Sequence, residues 1–257
     1  MSHVLITGAS SGIGLEFSKV FAKHNHNLIL VARSSEALTE LKTHLEKNFG
    51  VDVKIIIKDL ANPNSPGEIY EEVHKLGIDV SILVNNAGFG TYGKFLEQDL
   101  VVEHEMIQVN IDALTQLTKL FLKDMLAKGR GKILNVASTA SFQPGPFMAV
   151  YSATKAYVLS FSEALAEELR GTGVTVTTLC PGPTKTNFQK VAKIDGGSLF
   201  GKNIPAGKDV AEFGYDAMIQ GKRIAIHGFK NKIITKASRF LPRNIMARAV
   251  RKMQEDR

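Results

Sequence analysis

The sequence predicts an α/β fold in which a doubly wound parallel sheet forms a single domain. Short apolar runs rich in β-branched residues alternate with longer amphipathic stretches, a pattern typical of alternating strands and helices. The short runs are apolar almost throughout, as in strands that are covered on both faces. The length of 257 residues suits one large α/β domain or two small ones, and no linker or repeat divides the chain.

The individual elements follow from hydrophobic periodicity. Leucines spaced by three and four residues, as in Leu38/Leu41/Leu45, predict helices between the strands. The two longest helical stretches are Asp99–Leu126 and Ala149–Leu169. Right-handed crossovers between parallel strands then give a Rossmann fold. The predicted strands are His3–Ile6, Leu28–Ala32, Val53–Ile57, Ile82–Val84, Lys132–Val136, Val174–Leu179 and Ile224–Ile226.

Composition excludes several classes of protein. Apolar residues make up 44% of the chain, which is ordinary for a globular protein and excludes a disordered or collagen-like one. Cys180 is the only cysteine, so the chain holds no internal disulfide and no cysteine-cluster metal site. We predict no metal site, because the histidines lack the spacing of metal ligands. No apolar run approaches the roughly 18–20 residues of a membrane span, and with no basic-then-apolar leader we expect a cytoplasmic protein.

The positive charge is concentrated near the C-terminus. The chain carries 32 Lys+Arg and 25 Asp+Glu, a formal charge of +7. Ten of the basic residues and none of the acids lie within residues 217–254. We therefore divide the chain into a nucleotide-binding catalytic domain over 1–229, with a substrate lid at about 183–206, and a basic amphipathic extension over 230–257.

In that extension, one helical face is predicted to carry Ile245, Met246, Ala249, Val250 and Met253. Two interpretations of this face stay open. It packs on the body or on a partner subunit, or it lies on an anionic membrane surface, which would place the protein peripherally on a membrane. Nucleic-acid binding is not expected, because stacking aromatic residues do not interleave the basic ones.

A glycine-rich loop follows the first strand, with Gly8, Gly12 and Gly14 at the spacing Gly-x3-Gly-x-Gly. Glycines permit a tight turn, a close approach of backbone to a pyrophosphate and tight packing of helix on strand. The N-terminus of the next helix offers free N–H groups to phosphates. The loop predicts a dinucleotide site, although a tight strand–helix turn alone would also explain it.

The second strand ends at Ala32 and is followed by Arg33. NAD sites place a carboxylate here to bind the ribose hydroxyls. A guanidinium instead holds a 2′-phosphate bidentately. The sequence therefore favours NADP(H), with NAD(H) as the alternative cofactor. A third interpretation is that Arg33 is a solvated loop arginine that contacts no cofactor.

Tyr151 and Lys155 are spaced by four residues at the start of a predicted helix, so the phenol and the ammonium lie one turn apart on one face. A free tyrosine titrates near pH 10, and a nearby Lys⁺ together with an oxidised nicotinamide would lower its pKa. Tyr151 would then act as acid for a carbonyl and as base for an alcohol. Ser138 ends a predicted strand, where ligands of open α/β sheets bind, and can donate to the substrate oxygen.

With these residues the chain resembles the short-chain dehydrogenase/reductase family over about residues 3–190. The motifs match in order and spacing: Thr7–Gly14, Asp59-Leu60, Asn85–Gly88, Asn110, Ser138, Tyr151–Lys155 and Pro181-Gly182. The resemblance implies an oxidoreductase that transfers a hydride between NADP(H) and a carbonyl or secondary alcohol. It makes Tyr151 the acid/base, Lys155 the holder of the nicotinamide ribose and Ser138 the group that polarises the carbonyl. Asn110 supports a water in a proton relay through Lys155.

The resemblance also implies a cofactor site and an oligomer. Pairing through the two long helices would give a homodimer or a homotetramer. The adenine end is assigned to Asp59 and Leu60, and the nicotinamide end to Pro181, Gly182 and Thr184. The full cofactor set is Gly8, Ser10, Ser11, Gly12, Ile13, Gly14, Arg33, Asp59, Leu60, Asn86, Ala87, Gly88, Tyr151, Lys155, Pro181, Gly182 and Thr184.

Three segments are expected to shape the substrate pocket: Phe89–Tyr92, Ser141–Met148 and Asn187–Ile204. The first two carry few charges, which favours an apolar carbonyl compound. A 3-oxoacyl-thioester reductase and a hydroxysteroid-type dehydrogenase are the main alternatives among enzymes. Outside enzymes, the alternatives are a cofactor-binding sensor or scaffold without turnover and a protein that acts at a membrane through its basic tail.

Overall fold

The computed structural model describes residues 2–186, 188, 204–238 and 240–255, and within them it confirms the predicted fold class. Seven parallel strands form one sheet in the order β3-β2-β1-β4-β5-β6-β7. All seven predicted strands are present, with bounds that differ by at most three residues. They are β1 (Ser2–Thr7), β2 (Asn27–Ala32), β3 (Val53–Ile57), β4 (Asp79–Asn85), β5 (Gly131–Val136), β6 (Val174–Cys180) and β7 (Ile224–Ile226).

Helices cover both faces of the sheet. Along β1, Val4 and Ile6 point into one apolar cluster and Leu5 into the other, because successive side chains of a strand alternate between faces. The first cluster includes α1, α2 and α7; the second includes α3, α5 and the end of α6. The helices are α1 (Gly12–Lys23), α2 (Ser35–Phe49), α3 (Ser65–Lys75), α4 (Leu100–Ile107), α5 (Leu114–Ala127), α6 (Ala149–Glu168), α7 (Gly207–Ile219), α8 (Phe229–Ala237) and α9 (Arg243–Glu255).

The sheet changes its winding direction at β1, which pairs with β2 on one side and β4 on the other. Crossovers that leave β1 and β4 go to opposite sides, so a crevice opens at the carboxyl ends of these strands. This is the edge at which the sequence places the glycine loop, Asn86 and Ser138.

The long helix predicted over Asp99–Leu126 is interrupted. A π-helical turn, Gln108–Ala113, separates α4 from α5. Such turns widen the hydrogen-bonding pattern by one residue and often occur at functional sites. Here the turn contains Asn110, whose side chain is fully buried.

The C-terminal extension folds as α8 and α9. Of the apolar face predicted for it, Val250 is buried and Met246 is half-buried, but Ile245 and Met253 are 49% and 57% exposed. The prediction of one apolar stripe was therefore only partly right. The side of α9 that packs on the body carries Gln254, whose backbone carbonyl accepts a hydrogen bond from the Tyr92 hydroxyl at 2.6 Å.

Two further observations concern the expected lid and membrane spans. Of the expected lid at 183–206, residues 187 and 189–203 lie outside the described part of the chain. Among the residues with described positions, no helix has the length and the apolar composition needed to cross a bilayer.

We predict that Phe17→Ala lowers the free energy of unfolding by about 3–5 kcal/mol. Phe17 is fully buried between α1 and α7, so truncation removes apolar burial and leaves a cavity. Urea unfolding at a fixed protein concentration measures the change.

The matched control for Phe17→Ala is Phe95→Ala. Phe95 is 61% exposed, so its loss should change the free energy of unfolding by less than about 0.5 kcal/mol. Equal destabilisation by the two substitutions would contradict this description of the core.

Candidate active site

The glycine loop lies at the crevice, where backbone segments approach closely. Gly8 and Gly12 adopt left-handed conformations, with φ of 65° and 58°, which glycine reaches without strain. A Cβ on Gly14 would overlap the carbonyl oxygen of Gly8, and one on Gly8 would lie 2.9 Å from the Cα of Ala87. The glycines therefore keep side chains out of a shallow cradle next to the loop that follows β4.

Asn86 and Thr7 tie this cradle to β4. The side-chain Nδ2 of Asn86 donates to the backbone carbonyl oxygens of Thr7 at 2.9 Å and Gly8 at 3.3 Å. In return, the Thr7 hydroxyl accepts hydrogen bonds from the backbone N–H groups of Asn86 and Ala87, each at 3.0 Å. The ends of β1 and β4 are thus held in one geometry.

The start of α1 fits the diphosphate of a dinucleotide. Within the described residues, the Ser11 hydroxyl makes no capping hydrogen bond to α1, and the first turn carries no acidic residue. Its N–H groups and the partial positive charge of the helix end are therefore available to an anion. Ser11 is exposed, Ser10 is half-buried and Ile13 packs against the core.

Arg33 and Asp59 face each other at the adenine end. Arg33 follows β2, is 75% exposed at its side chain, and its Nη1 lies 3.7 Å from Oδ2 of Asp59. The guanidinium is free to meet a phosphate, since so exposed an ion pair is weak. The Leu60 side chain is buried in the apolar core, so only its backbone can face an adenine.

Tyr151, Ser138 and Lys155 come together at the ends of β5 and α6. The Ser138 hydroxyl lies close enough to the Tyr151 phenol to lower its pKa. Lys155 stands one turn further along α6, with its Nζ 5.9 Å from the centroid of the Tyr151 ring. The Lys155 ammonium donates to the Val136 carbonyl at 2.9 Å, so the strand that carries Ser138 also positions the lysine.

Burial moves the two titrating groups in opposite directions. It lowers the pKa of Lys155 to about 8 and raises the pKa of the Tyr151 phenol above its usual value near 10, with partial compensation by the Ser138 hydrogen bond. The sequence argument that Lys155 together with an oxidised nicotinamide lowers the pKa of Tyr151 stays a prediction, because the side chains around the phenol leave its pKa raised. Desolvation of the phenolate outweighs its neighbours, and at neutral pH Tyr151 is a proton donor.

Asn110 is committed to the backbone of Phe89. Its Oδ1 accepts from the Phe89 N–H at 3.1 Å, and its Nδ2 donates to the Phe89 carbonyl at 2.9 Å and to the Thr154 hydroxyl at 3.0 Å. A Cβ on Gly88 would lie 2.8 Å from Asn110 Oδ1 and 3.2 Å from Lys155 Nζ. The π-helical turn therefore places Asn110 beside Lys155, with both N–H groups of its amide occupied.

The first two predicted pocket segments surround Tyr151 and Ser138. Gly90 packs on the Tyr151 ring, and the centroid of the Phe188 ring lies 5.4 Å from that of Tyr151. The rings of Tyr92 and Phe147 are 5.9 Å apart, which brings the two segments together. Mostly apolar groups therefore line the approach to the hydroxyl pair.

The Pro181 loop closes this region on the β6 side. The Pro181 carbonyl accepts a hydrogen bond from the Thr139 N–H at 2.9 Å, directly after Ser138. Thr184 is buried, and its hydroxyl donates to the Gly182 carbonyl at 2.9 Å. The predicted nicotinamide-side residues thus lie next to Ser138.

Sequence reasoning missed three hydroxyl groups that hold this site. They belong to Thr7, to Thr154, and to Ser141, whose Oγ donates to the Lys155 carbonyl at 2.7 Å and accepts from the Ser138 N–H at 3.3 Å. All three lie within segments that the sequence predicts to be functional, but a single serine or threonine there carries no periodic signal. Only the folded geometry identifies them.

Neither Cys180 nor a metal ion has a role in the predicted hydride-transfer site. Cys180 is fully buried at the end of β6, and burial raises the pKa of its thiol to about 12. The thiol is therefore protonated and unreactive at neutral pH. Across the described residues, His, Cys, Asp and Glu side chains form no group of three or more that would hold a metal ion.

Comparison with known proteins gives a consistent set of matches. A model of the short chain dehydrogenase family matches residues 2–195. The very-long-chain 3-oxoacyl-CoA reductase of Homo sapiens is 32% identical over 196 residues, which cover 74% of this chain and 61% of that protein. The 17-beta-hydroxysteroid dehydrogenase type 3 of Mus musculus is 34% identical over 190 residues, covering 72% and 61%. The chain thus spans about 61% of the length of these curated relatives.

The fold of solved structures agrees over nearly the full chain. A short-chain dehydrogenase from Sphingobium yanoikuyae, solved in complex with NADPH, has a TM-score of 0.84 and 30% sequence identity. The alignment covers 93% of this chain and 94% of that one. The structural similarity therefore covers more of this chain than the sequence matches to the curated relatives do.

We predict that Lys155 titrates near pH 8, whereas an exposed lysine titrates at about pH 10.4. In ¹³C-lysine-labelled protein, one Cε resonance should show this low midpoint and be absent from Lys155→Met. Between the two values the unfolded chain binds more protons than the folded one, so the contribution of Lys155 to the free energy of unfolding rises with pH. Lys47→Met, an exposed site on α2, is the control, and a spectrum without a low midpoint would contradict the burial argument.

Proposed function

Because this chain belongs to the short-chain dehydrogenase family, we propose that it is an oxidoreductase that transfers a hydride between NADP(H) and the carbonyl or secondary alcohol of an apolar substrate. One observation carries the proposal. The phenol of Tyr151 lies beside the Ser138 hydroxyl, with the Lys155 ammonium one turn away, next to a glycine cradle at the carboxyl edge of the sheet. Tyr151 can act as an acid, Ser138 can bind the substrate oxygen, and Lys155 supplies a positive charge. All three lie at the edge of the sheet where this fold binds ligands.

The cofactor would be held by residues that fit its parts. The cradle of Gly8, Gly12 and Gly14, with the open start of α1, suits a diphosphate. Arg33 suits a 2′-phosphate and argues for NADP(H) over NAD(H). The Sphingobium yanoikuyae neighbour, which is described in complex with NADPH, supports this choice.

The protein's own residues handle the oxygen and the proton. When bound, the nicotinamide supplies or accepts the hydride. In reduction, Tyr151 donates its proton to the substrate oxygen while the Ser138 hydroxyl hydrogen-bonds to the same oxygen. The Lys155 ammonium stabilises the phenolate that remains. In oxidation the phenolate takes the alcohol proton. Asn110 fixes Phe89, and with it the adjoining pocket wall; we retain its role beside a proton-relay water as part of the proposal.

For the substrate, we propose an apolar carbonyl compound. The support comes from the pocket, where Gly90, Phe147 and Phe188 surround the reactive hydroxyls. The names of the relatives, a 3-oxoacyl-CoA reductase and a hydroxysteroid dehydrogenase, suggest the two substrate classes to test first. A sensor or scaffold without turnover is the alternative from another class, and the intact Tyr151–Ser138–Lys155 arrangement argues against it.

For assembly and location, we propose a homo-oligomer that works in the cytoplasm and touches a membrane peripherally. The helices expected to pair expose apolar side chains, among them Ile107 on α4, Leu126 on α5 and Tyr157 on α6. Burying them would be favourable in a dimer. The C-terminal extension supports the peripheral contact by its charge.

We predict that Tyr151→Phe lowers NADPH-dependent turnover by about 10²–10⁴-fold, the usual range for a general acid. Turnover is followed by NADPH consumption over a panel of small aldehydes, medium ketones, 3-oxoacyl thioesters and steroid ketones, with NADH in parallel. NADPH affinity should stay near that of the wild type, because the substitution removes only the phenolic oxygen.

The control for Tyr151→Phe is Tyr157→Phe, on the same helix. The Tyr157 hydroxyl contacts Thr115 and is remote from the reacting oxygen, so this variant should keep its turnover. Full activity of Tyr151→Phe would refute the mechanism. A protein that binds NADPH and reduces nothing on the panel would favour the sensor.

We predict that Arg33→Ser weakens NADPH binding by about 10–100-fold, the range for one lost charge-assisted hydrogen bond, with little change for NADH. Fluorescence titration of both nucleotides measures the effect. Arg130→Ser is the matched control, since Arg130 is 72% exposed and lies 3.8 Å from Asp79. Equal losses for NADPH and NADH would show that Arg33 does not read the 2′-phosphate.

A further inference from the structure

The two C-terminal helices turn polar residues toward the body and apolar residues toward solvent. In α8, Thr235 is buried and Asn231 half-buried, whereas Phe229 and Ile233 are 77% and 53% exposed. A helix that only covers a globular body shows the reverse arrangement. The outward face of α8 is therefore an apolar surface that the chain itself leaves uncovered.

The connecting segment and α9 extend this surface. Phe240, between the two helices, is 87% exposed. In α9, Val250 and Gln254 face inward, while Ile245, Ala249 and Met253, spaced by four residues, share an exposed stripe. The exposed apolar groups of residues 229–253 we call the C-terminal face.

Basic residues frame the C-terminal face. Lys232 and Lys236 flank Phe229 and Ile233 on α8, and Arg248 and Lys252 lie beside the exposed stripe of α9. Within the described part of the chain, Lys236, Arg248 and Lys252 form no ion pair; Arg251 pairs with Glu255 at 2.6 Å. The charge is thus left for an external anion.

The same helices rest on the walls of the substrate pocket. Asn231 of α8 contacts Gly182, where a Cβ would overlap its amide group. The carbonyl of Gln254 in α9 accepts the hydrogen bond from Tyr92. Tyr92 and Gly182 belong to the two loops beside Tyr151 and Ser138. The C-terminal face is therefore the outer side of a structure whose inner side borders the pocket.

We propose that the C-terminal face docks on an anionic lipid bilayer, and that the substrate pocket opens next to this contact. The docking depends on residues 229–253 alone. The second part, entry of an apolar carbonyl substrate from the bilayer, rests on the proposed function. Aromatic and aliphatic side chains would enter the headgroup region, with lysines and arginines on the lipid phosphates.

Other occupants fit the face less well. A second copy paired about a two-fold axis would set the same basic residues against each other, which costs energy. An acidic protein would match the positive charge, but its charged surface would not bury the exposed side chains of Phe229 and Phe240. A bilayer with anionic headgroups accommodates both the charge and the protruding apolar groups.

The test is co-sedimentation of the full chain with vesicles of phosphatidylglycerol and phosphatidylcholine, at low and high salt. Binding is expected at low salt and should weaken at high salt, because charge contributes to it. Lys232→Gln/Lys236→Gln should weaken binding by about tenfold or more, given about 1 kcal/mol per basic residue at such a surface. Phe229→Ser/Phe240→Ser should weaken it by at least as much, since two apolar anchors are lost.

Matched controls keep the test specific. Lys19→Gln/Lys23→Gln on α1 removes two lysines at the same spacing, and Ile57→Ser/Leu76→Ser removes two apolar groups that are each about half exposed. Both should bind as the wild type does. Thermal melting verifies that every variant is folded. Absence of binding at low salt, or equal binding to pure phosphatidylcholine, would overturn the proposal. So would light scattering that shows an oligomer dissociated by Phe229→Ser/Phe240→Ser.

Turnover separates docking from function. With a lipophilic ketone carried in the vesicles, Phe229→Ser/Phe240→Ser should lose turnover, while its rate on a water-soluble ketone stays unchanged. Vesicle binding without turnover of any ketone would refute the proposed function and leave docking intact. Entry from the bilayer would be refuted if Phe229→Ser/Phe240→Ser turned over the vesicle-borne ketone as well as the water-soluble one.

Discussion

The ends of β1 and β4 are joined by two reciprocal polar contacts, and the active-site crevice depends on them. Thr7 accepts the N–H groups of Asn86 and Ala87, and the Asn86 amide returns hydrogen bonds to the carbonyls of Thr7 and Gly8. These hydrogen bonds satisfy backbone groups at the point where the two strands diverge. Because the junction is satisfied internally, the glycine cradle and the loop to Phe89 keep a fixed relation, and the catalytic side chains are arranged on a rigid edge.

Desolvation sets the protonation states of the two titrating groups at this edge of the sheet. The same burial that raises the pKa of the Tyr151 phenol lowers the pKa of Lys155, because a low dielectric disfavours an anion and a cation alike. The protein by itself therefore holds Tyr151 with its proton and Lys155 close to losing one. A phenol in that state is ready to protonate a carbonyl. Oxidation of an alcohol requires the phenolate, which further positive charge must stabilise.

Much of this could be predicted from the sequence, and the failures have physical causes. The strands were predictable because both faces of the sheet are covered, so most positions in a strand are apolar. The π-helical turn around Asn110 was not, because a shift of the backbone hydrogen-bond register leaves no mark in hydrophobic spacing. The desolvation that raises the pKa of Tyr151 could not be predicted, because the sequence shows the lysine four residues away but not the depth of burial. For α9, periodicity identified the apolar residues, whereas Tyr92 and the packing of Gln254 decide which face turns inward.

Gly90 limits how the pocket can change. A Cβ there would meet the Tyr151 ring at 2.7 Å and Phe188 at 3.1 Å, so any side chain would displace the phenol on which the chemistry depends. New substrate preferences can therefore arise at other positions of the pocket wall, while Gly90 itself stays closed to variation. The space between Gly90 and the Tyr151 ring is therefore fixed, and adaptation to larger or smaller ketones is confined to the outer part of the pocket.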